Sequence, residues 1–344
     1  MQTISDLTWS RQTNKDGDFM ALTNTEYGKA YEYACLLALR DHLSGRTEGK
    51  VTVVDSDAYR TAQKAFEKAE REGKSNKLVS AANAAARVIL RLEPQLQYGK
   101  GDLGLVIQTD AQGVAGDVRD VVCIRGAAGW EVGISCKHNH GALKHSRLSA
   151  TIDFGKKWLG IPCSSEYFEA VVPIFNELRD MRTEAKENDR EVPRWSDFSD
   201  KAERYYIPVL NAFLEEMKRL ADNNPDVPRK LIGYMIGRYD FYKVITDDRR
   251  KTTRVEAVNI AGTLNRPANG HRSIVDVGRL KLPTRFYHMG MVPGSDDTVE
   301  MVCDEGWTLT MRIHSAKGEI EPSLKFDVQS VSLPSSVHAQ VEPW

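Results

Sequence analysis

The stretch from Asp120 to Arg147, DVVCIRGAAGWEVGISCKHNHGALKHSR, constrains this chain more than any other. The apolar run Val121-Val122-Cys123-Ile124 meets a turn cluster, Gly126 to Gly129. A second alternating run follows from Trp130 to Cys136, the pattern of a β-hairpin. A four-residue loop pairs Arg125 with Trp130, and counting inward places Asp120 opposite Ser135. Lys137 is then diagonal to Asp120 on the same face, about 7–8 Å away between backbones and within reach of a long side chain. An acid and a lysine converging from adjacent strands are expected of a metal-dependent phosphodiesterase. A plain cross-strand ion pair, contributing a few tenths of a kcal/mol up to about 1, has the same pattern.

The flanking sequence predicts a scaffold around this hairpin. Asn24 or Thr25 caps a helix running to Leu43, with Glu32 beside its apolar stripe. A short strand at Lys50–Val54 and helices at Asp57–Glu72 and Asn76–Leu92 follow, the last stopped at Pro94. Helices are also expected at Phe154–Leu159, at Glu166–Lys186 under a cap from Ser164 or Ser165, and from Pro208 to Leu220. From Lys230 short alternating runs predict strands: Leu231–Ile236, Phe241–Ile245, Arg254–Ile260, Val299–Val302, Thr308–Ile313 and Leu324–Val328. The expected class is α/β (α+β), a mixed sheet flanked by helices with a β-rich C-terminal region. The expected division is 1–228 for helices and catalytic core and 229–344 for a basic recognition region.

Composition excludes several alternatives. At 344 residues, 41% hydrophobic and 28% charged, the chain should bury a sizeable core. No apolar run reaches the roughly 20 residues needed to span a bilayer, and the N-terminus is polar, so a cytoplasmic location is expected. Five scattered cysteines without a CxxC pair argue against a zinc ribbon or a disulfide scaffold. The net charge of −1 hides local asymmetry. Residues 229–254 hold eight Lys/Arg against three Asp, net +5, and 263–285 five against one, net +4. A basic cleft in a neutral protein is the implication.

The segment Lys137-His138-Asn139-His140, continuing to Lys144, His145 and Arg147, gathers three His, two Lys and one Arg in eleven residues without an acid. Donors of these types suit phosphate contacts. The literal His-Asn-His string also leaves open an HNH-type nuclease, although that class disperses those residues over a longer unit. Arg238, Arg249, Arg250, Lys251, Arg254, Asn265, Arg266 and Arg272 supply the basic C-terminal stretches. Arg and Asn side chains match guanine and adenine edges in the major groove. A non-catalytic, sequence-specific DNA-binding protein is a third reading.

Phosphodiester hydrolysis needs a positioned water, charge neutralisation on the phosphate and help for the leaving oxygen, which Mg²⁺ held by carboxylates supplies in large part. In these terms the hairpin resembles that of PD-(D/E)XK nucleases. Asp120 matches the first acid, and Ser135-Cys136-Lys137 matches the acid-x-lysine element, with a serine where an acid is usual. The second carboxylate must then come from elsewhere. Glu131 lies roughly 20 Å from Lys137 along the strand, too far to share an ion. Such folds often bring a glutamate from the N-terminal helix, where Glu32 stands, and Asp153 and Glu166 remain as alternatives.

Five segments together resemble the HaeIII-type family of type II restriction endonucleases: residues 28–39, 134–149, 239–245, 261–267 and 311–328. The runs KHNHGALKHSRLS and EPSLKFD are the most specific. The resemblance implies a Mg²⁺-dependent endonuclease that recognises the palindrome 5′-GGCC-3′ in double-stranded DNA and cuts both strands through a water nucleophile. It also implies a cognate methyltransferase in the same system. It places Glu32, Asp120 and Lys137, with Ser135, in the active site and the His138–Arg147 run beside it. A palindromic target predicts a two-fold symmetric homodimer.

Overall fold

In a computed structural model, the structure describes residues 21–109, 117–139, 143–315 and 317–344, with the side chains of Lys144 and His145 left aside. The class is the expected one, α+β with helices flanking mixed sheets and strands dominating the C-terminal part.

Helix α1 (Asn24–Leu43) starts at Thr23 rather than at Asn24 or Thr25. The Thr23 hydroxyl accepts from the Glu26 amide while the Glu26 carboxylate accepts from the Thr23 amide, a reciprocal capping box. Strand β1 (Val51–Val53), α2 (Asp57–Arg71) and α3 (Ser75–Leu92) follow. Pro94 does end α3, but it also opens a short helix α4 (Pro94–Tyr98), since proline fits a first helical turn. Strands β2 (Leu103–Ile107), β3 (Val121–Arg125) and β4 (Trp130–His138) complete the N-terminal part. Beyond β4 come β5 (Lys144–Ser149), a π-turn at Gly155–Leu159, α5 (Ser165–Glu187), α6 (Ile207–Asn223) and α7 (Val227–Ile236). The remaining strands are β6 (Phe241–Asp247), β7 (Thr252–Val258), β8 (Phe286–Met291), β9 (Thr298–Cys303), β10 (Thr308–His314), β11 (Ser323–Ser332) and β12 (His338–Pro343).

The strand expected at Leu231–Ile236 is instead the end of α7. Val227, Leu231, Ile232, Met235 and Ile236 are buried at helical spacing, Pro228 lies in the first turn, and Gly237 at φ +90° ends the helix. A short apolar run has no periodicity that separates buried helix from strand.

One sheet has the order β1-β2-β3-β4-β6-β7-β12, the other β5-β11-β10-β9-β8. Strands from both sides of residues 228/229 therefore share both sheets. Helices α1 to α3 bury Ala30, Leu36, Ala82 and Ile89 against Val121, Ile134, Tyr242 and Val255 of the first sheet. A second core joins α5, α6 and α7 to the second sheet through Phe175, Phe213, Leu231, Met311 and Phe326. It also takes in Phe241 and Val258, so the opposite face of the first sheet is covered there. Among the described residues no helix is long and apolar enough to cross a membrane.

The turn end of the β3–β4 hairpin is fixed by Arg125, which is fully buried. Its guanidinium donates to the carbonyls of Gln95, Leu96, Glu48 and Gly101 and to the Thr47 hydroxyl. A buried charge with so many acceptors is tolerable because each N–H lost from water finds a new partner.

Candidate active site

The hairpin has the register expected from the alternation. Arg125 pairs with Trp130 and Val121 with Ile134, and Gly129 takes the left-handed conformation at φ +59° that closes the turn. The Asp120 amide donates to the Ile134 carbonyl at 2.8 Å, extending the ladder by one residue. The Asp120 carboxylate then accepts from the Cys136 amide at 2.6 Å and from the Ser135 hydroxyl at 3.3 Å. Lys137 Nζ lies 3.6 Å from Asp120 Oδ2, with both side chains about a quarter exposed. Partial exposure leaves one side of the pair open to a substrate.

Glu32 approaches from α1. Ala30, Tyr31, Ala34, Cys35 and Leu36 pack into the core that contains Ile134 and Cys136, and this packing carries Glu32 inward until it is only 7% exposed. Lys29, one turn earlier, donates to its carboxylate at 3.1 Å. Burial, and next the negative charge of Asp120, push the Glu32 carboxyl up to about 8, with Lys29 and Lys137 pulling the other way. A buried carboxyl whose ionisation is opposed by a neighbouring carboxylate is what a divalent cation relieves, so the donor set fits Mg²⁺. Asp120 and Glu32 would hold it. Among the described residues no group of three or more His, Cys, Asp or Glu side chains could hold a metal ion.

Asp153 and Glu166 are engaged elsewhere. Asp153 accepts from the Lys156 and Cys163 amides around the π-turn. Glu166 stands in the first turn of α5, its carboxyl lowered by its own backbone amide and by Ser164 and Ser165.

The DNA-contact candidates separate into groups. Strand β4 runs parallel to β6 with His138 opposite Thr246, so the β6–β7 turn carrying Arg249, Arg250 and Lys251 lies beyond the same end as Lys137. His138 Nε2 is 3.2 Å from Asp248 Oδ2, and the Asp248 amide donates to Asn139 Oδ1 at 3.0 Å. The Tyr27 ring packs on the His138 ring with centroids 4.3 Å apart. His138 and Asn139 thus tie the hairpin to the neighbouring turn. Arg254, on β7, pairs with Glu256 at 2.8 Å.

Arg238 and Arg266 are at the opposite end of the sheet. They line a cavity of about 230 Å³ with Arg119, Trp130, Glu131 and Tyr239, roughly 20 Å from Lys137 by strand rise. Asn265 faces inward there, donating to the carbonyls of Leu92 and Val275. Arg272 follows His271, which stacks on Tyr98 of α4. Arg147 belongs to β5 in the second sheet and bonds to Glu321 and Ser323. Lys144 and His145 occupy β5 positions opposite Val328 and Asp327. His140 lies outside the described residues.

Three charged residues join the site without having been singled out in the sequence. Lys29 was readable, because a lysine three residues before Glu32 shares its helix face. Lys243 and Glu256 were not, because their place depends on the parallel pairing of β4 with β6, which puts Lys243 opposite Ser135, and on β7, which puts Glu256 opposite Lys243.

The model of the HaeIII restriction endonuclease family matches residues 28–334. The Type II restriction enzyme HaeIII of Haemophilus aegyptius is 35% identical over 326 residues, covering 94% of this chain and 99% of that protein. No solved structure matches. With a family match over nearly the whole chain and a relative aligned end to end, the chain belongs to the HaeIII restriction endonuclease family and is a type II restriction endonuclease.

Proposed function

We propose that this endonuclease hydrolyses both strands of DNA at 5′-GGCC-3′ in a Mg²⁺-dependent reaction with water as nucleophile, acting as a cytoplasmic homodimer alongside a cognate methyltransferase. As a restriction endonuclease it acts on double-stranded DNA, and enzymes of this type generally use a divalent metal. The observation that carries the catalytic reading is the convergence of Asp120, Lys137 and Glu32. They come from two strands and a helix: Lys137 Nζ lies 3.6 Å from Asp120 Oδ2, and the charges of both act on the buried Glu32 carboxyl.

A bound Mg²⁺ supplies Lewis-acid polarisation and neutralises charge on the phosphate. The protein groups do the rest. Asp120 is held in one orientation by the Cys136 amide and the Ser135 hydroxyl, so its remaining lone pairs are aimed before substrate arrives. Lys137, on the strand face next to it, orients the attacking water, takes its proton or stabilises the charge that develops on the phosphate oxygens. Glu32 and Lys29 set the charge balance on the helix side. Arg249, Arg250 and Lys251 are assigned to the DNA backbone next to the cut, with the turn that bears them anchored by Asp248. His138 and Asn139 stand at the same strand end, and His140, Lys144, His145 and Arg147, which follow in the sequence, are assigned to DNA contacts as well.

The test is digestion of a plasmid of known sequence with Mg²⁺, followed by sequencing of the ends. Cuts at 5′-GGCC-3′, absent from Asp120→Ala and Lys137→Ala proteins that melt normally, are expected. Undiminished cutting by both variants would overturn the assignment.

A further inference from the structure

Ser135 occupies the motif position where an acid is usual, and the sheet supplies it with a cationic neighbour. In the β4–β6 ladder its partner is Lys243, and in the β6–β7 ladder the partner of Lys243 is Glu256. Asp120, Ser135, Lys243 and Glu256 therefore form one transverse row across four strands. Lys137 and Arg254 stand one pleat further along the same face. Lys243 and Glu256 are each 5% exposed. Burial, and the positive charges of Lys137 and Arg254, push the Lys243 ammonium down to about 8 while Glu256 holds it up. A buried ammonium beside the serine puts a positive charge where a second carboxylate and its cation would otherwise meet.

We propose that Lys243 is a built-in cation of the active site, so that the Ser135/Lys243 pair replaces an acid with its divalent ion and the site would take a single metal, for which Asp120 and Glu32 are the ligands. The inference rests on the metal-dependent reading above. Lys243 is two strands from Asp120, about 10 Å between backbones. A carboxylate introduced at position 135 alone would be claimed by Lys243 and would not recruit an ion. Removing Lys243 at the same time would release it. Removing only Lys243 takes a positive charge from the neighbourhood of the remaining ion. At that separation, with a dielectric between the surface value and water, the ion should bind on the order of tenfold more tightly.

Calorimetric titration of Ca²⁺ into the full-length protein, saturated with a duplex oligonucleotide carrying 5′-GGCC-3′, reads stoichiometry and affinity without reference to turnover. One ion per chain is expected for the natural protein and for Ser135→Asp, two for Ser135→Asp/Lys243→Met, and one, bound about tenfold more tightly, for Lys243→Met. Two ions in the natural protein or in Ser135→Asp would overturn the inference, as would one in the double variant. If the double variant does not fold, an unchanged affinity in Lys243→Met or Lys243→Gln does the same. Absence of Ca²⁺ binding in the natural protein would overturn the metal site itself, and this inference with it.

Discussion

Replacing Glu32 with glutamine should abolish cleavage yet stabilise the metal-free protein, and the gain should depend on pH. Glu32 is buried beside Asp120, and its carboxyl is raised from about 4.5 to about 8 in the folded chain. The folded state then holds a proton that the unfolded state releases, so folding stability falls as pH rises between these two values. Below about 4.5 both states carry the proton and the cost vanishes. Above about 8 both have lost it and the cost is complete. Each pH unit inside the window costs about 1.4 kcal/mol. Glutamine cannot ionise and can still accept from Lys29. The stability difference between Glu32→Gln and the natural protein should therefore widen in favour of the variant by about 3 kcal/mol from pH 5.5 to 7.5. Urea unfolding in EDTA at the two pH values measures it. A variant less stable than the natural protein at pH 7.5, or a gap that does not grow with pH, would refute the reasoning. Added Mg²⁺ and target duplex should reverse the order by stabilising only the protein with both carboxylates.

Three further perturbations separate scaffold from chemistry. Arg125→Met leaves the acceptors Gln95, Leu96, Glu48, Gly101 and Thr47 without their shared donor. It should cost about 3 kcal/mol or more in urea unfolding, with cleavage per folded molecule unchanged. Gly133→Ala would bring a Cβ within 1.9 Å of Arg119 Cδ, displacing the guanidinium that binds Asp117 and Glu131. A fall in melting temperature of several degrees is expected, and an unchanged value would show that Arg119 can move freely. Asp248→Ala removes the acceptor of His138. It should weaken target-duplex binding severalfold in a filter assay while the melting temperature changes little, and undiminished binding would show that the tie is dispensable.

The β3–β4 hairpin was legible because strand alternation has a period of two and a glycine-bounded turn fixes the count, so the residue opposite Asp120 follows from arithmetic. Glu32 was legible as a helix residue beside an apolar stripe, though not how far packing would bury it. What escaped depends on contacts between residues remote in sequence. Lys144–Ser149 reads as a polar tail, yet it becomes β5 because β11 offers a partner about 180 residues later. His138 and Asn139 read as phosphate ligands, yet their polar groups meet Asp248 on another strand pair. Arg238 shares the basic stretch of Arg249 and Arg250 and Arg266 belongs to the next one, but a strand length separates both from that pair. Charge counted along a chain does not say which end of a sheet receives it.

The parallel pairing of β4 with β6 has a consequence for how the enzyme comes into being. The strand bearing Lys137 ends at His138, and the neighbour that fixes it begins only at Phe241, after the helices and first strand of the second core. Closing so long a loop is an entropic cost that must be met before the contact rewards it, and such topologies fold slowly. On the ribosome the hairpin emerges early, but Ser135 and Lys137 acquire their supporting strand about a hundred residues later. The nuclease therefore passes through a stage at which its signature motif is complete as sequence and unfinished as a machine.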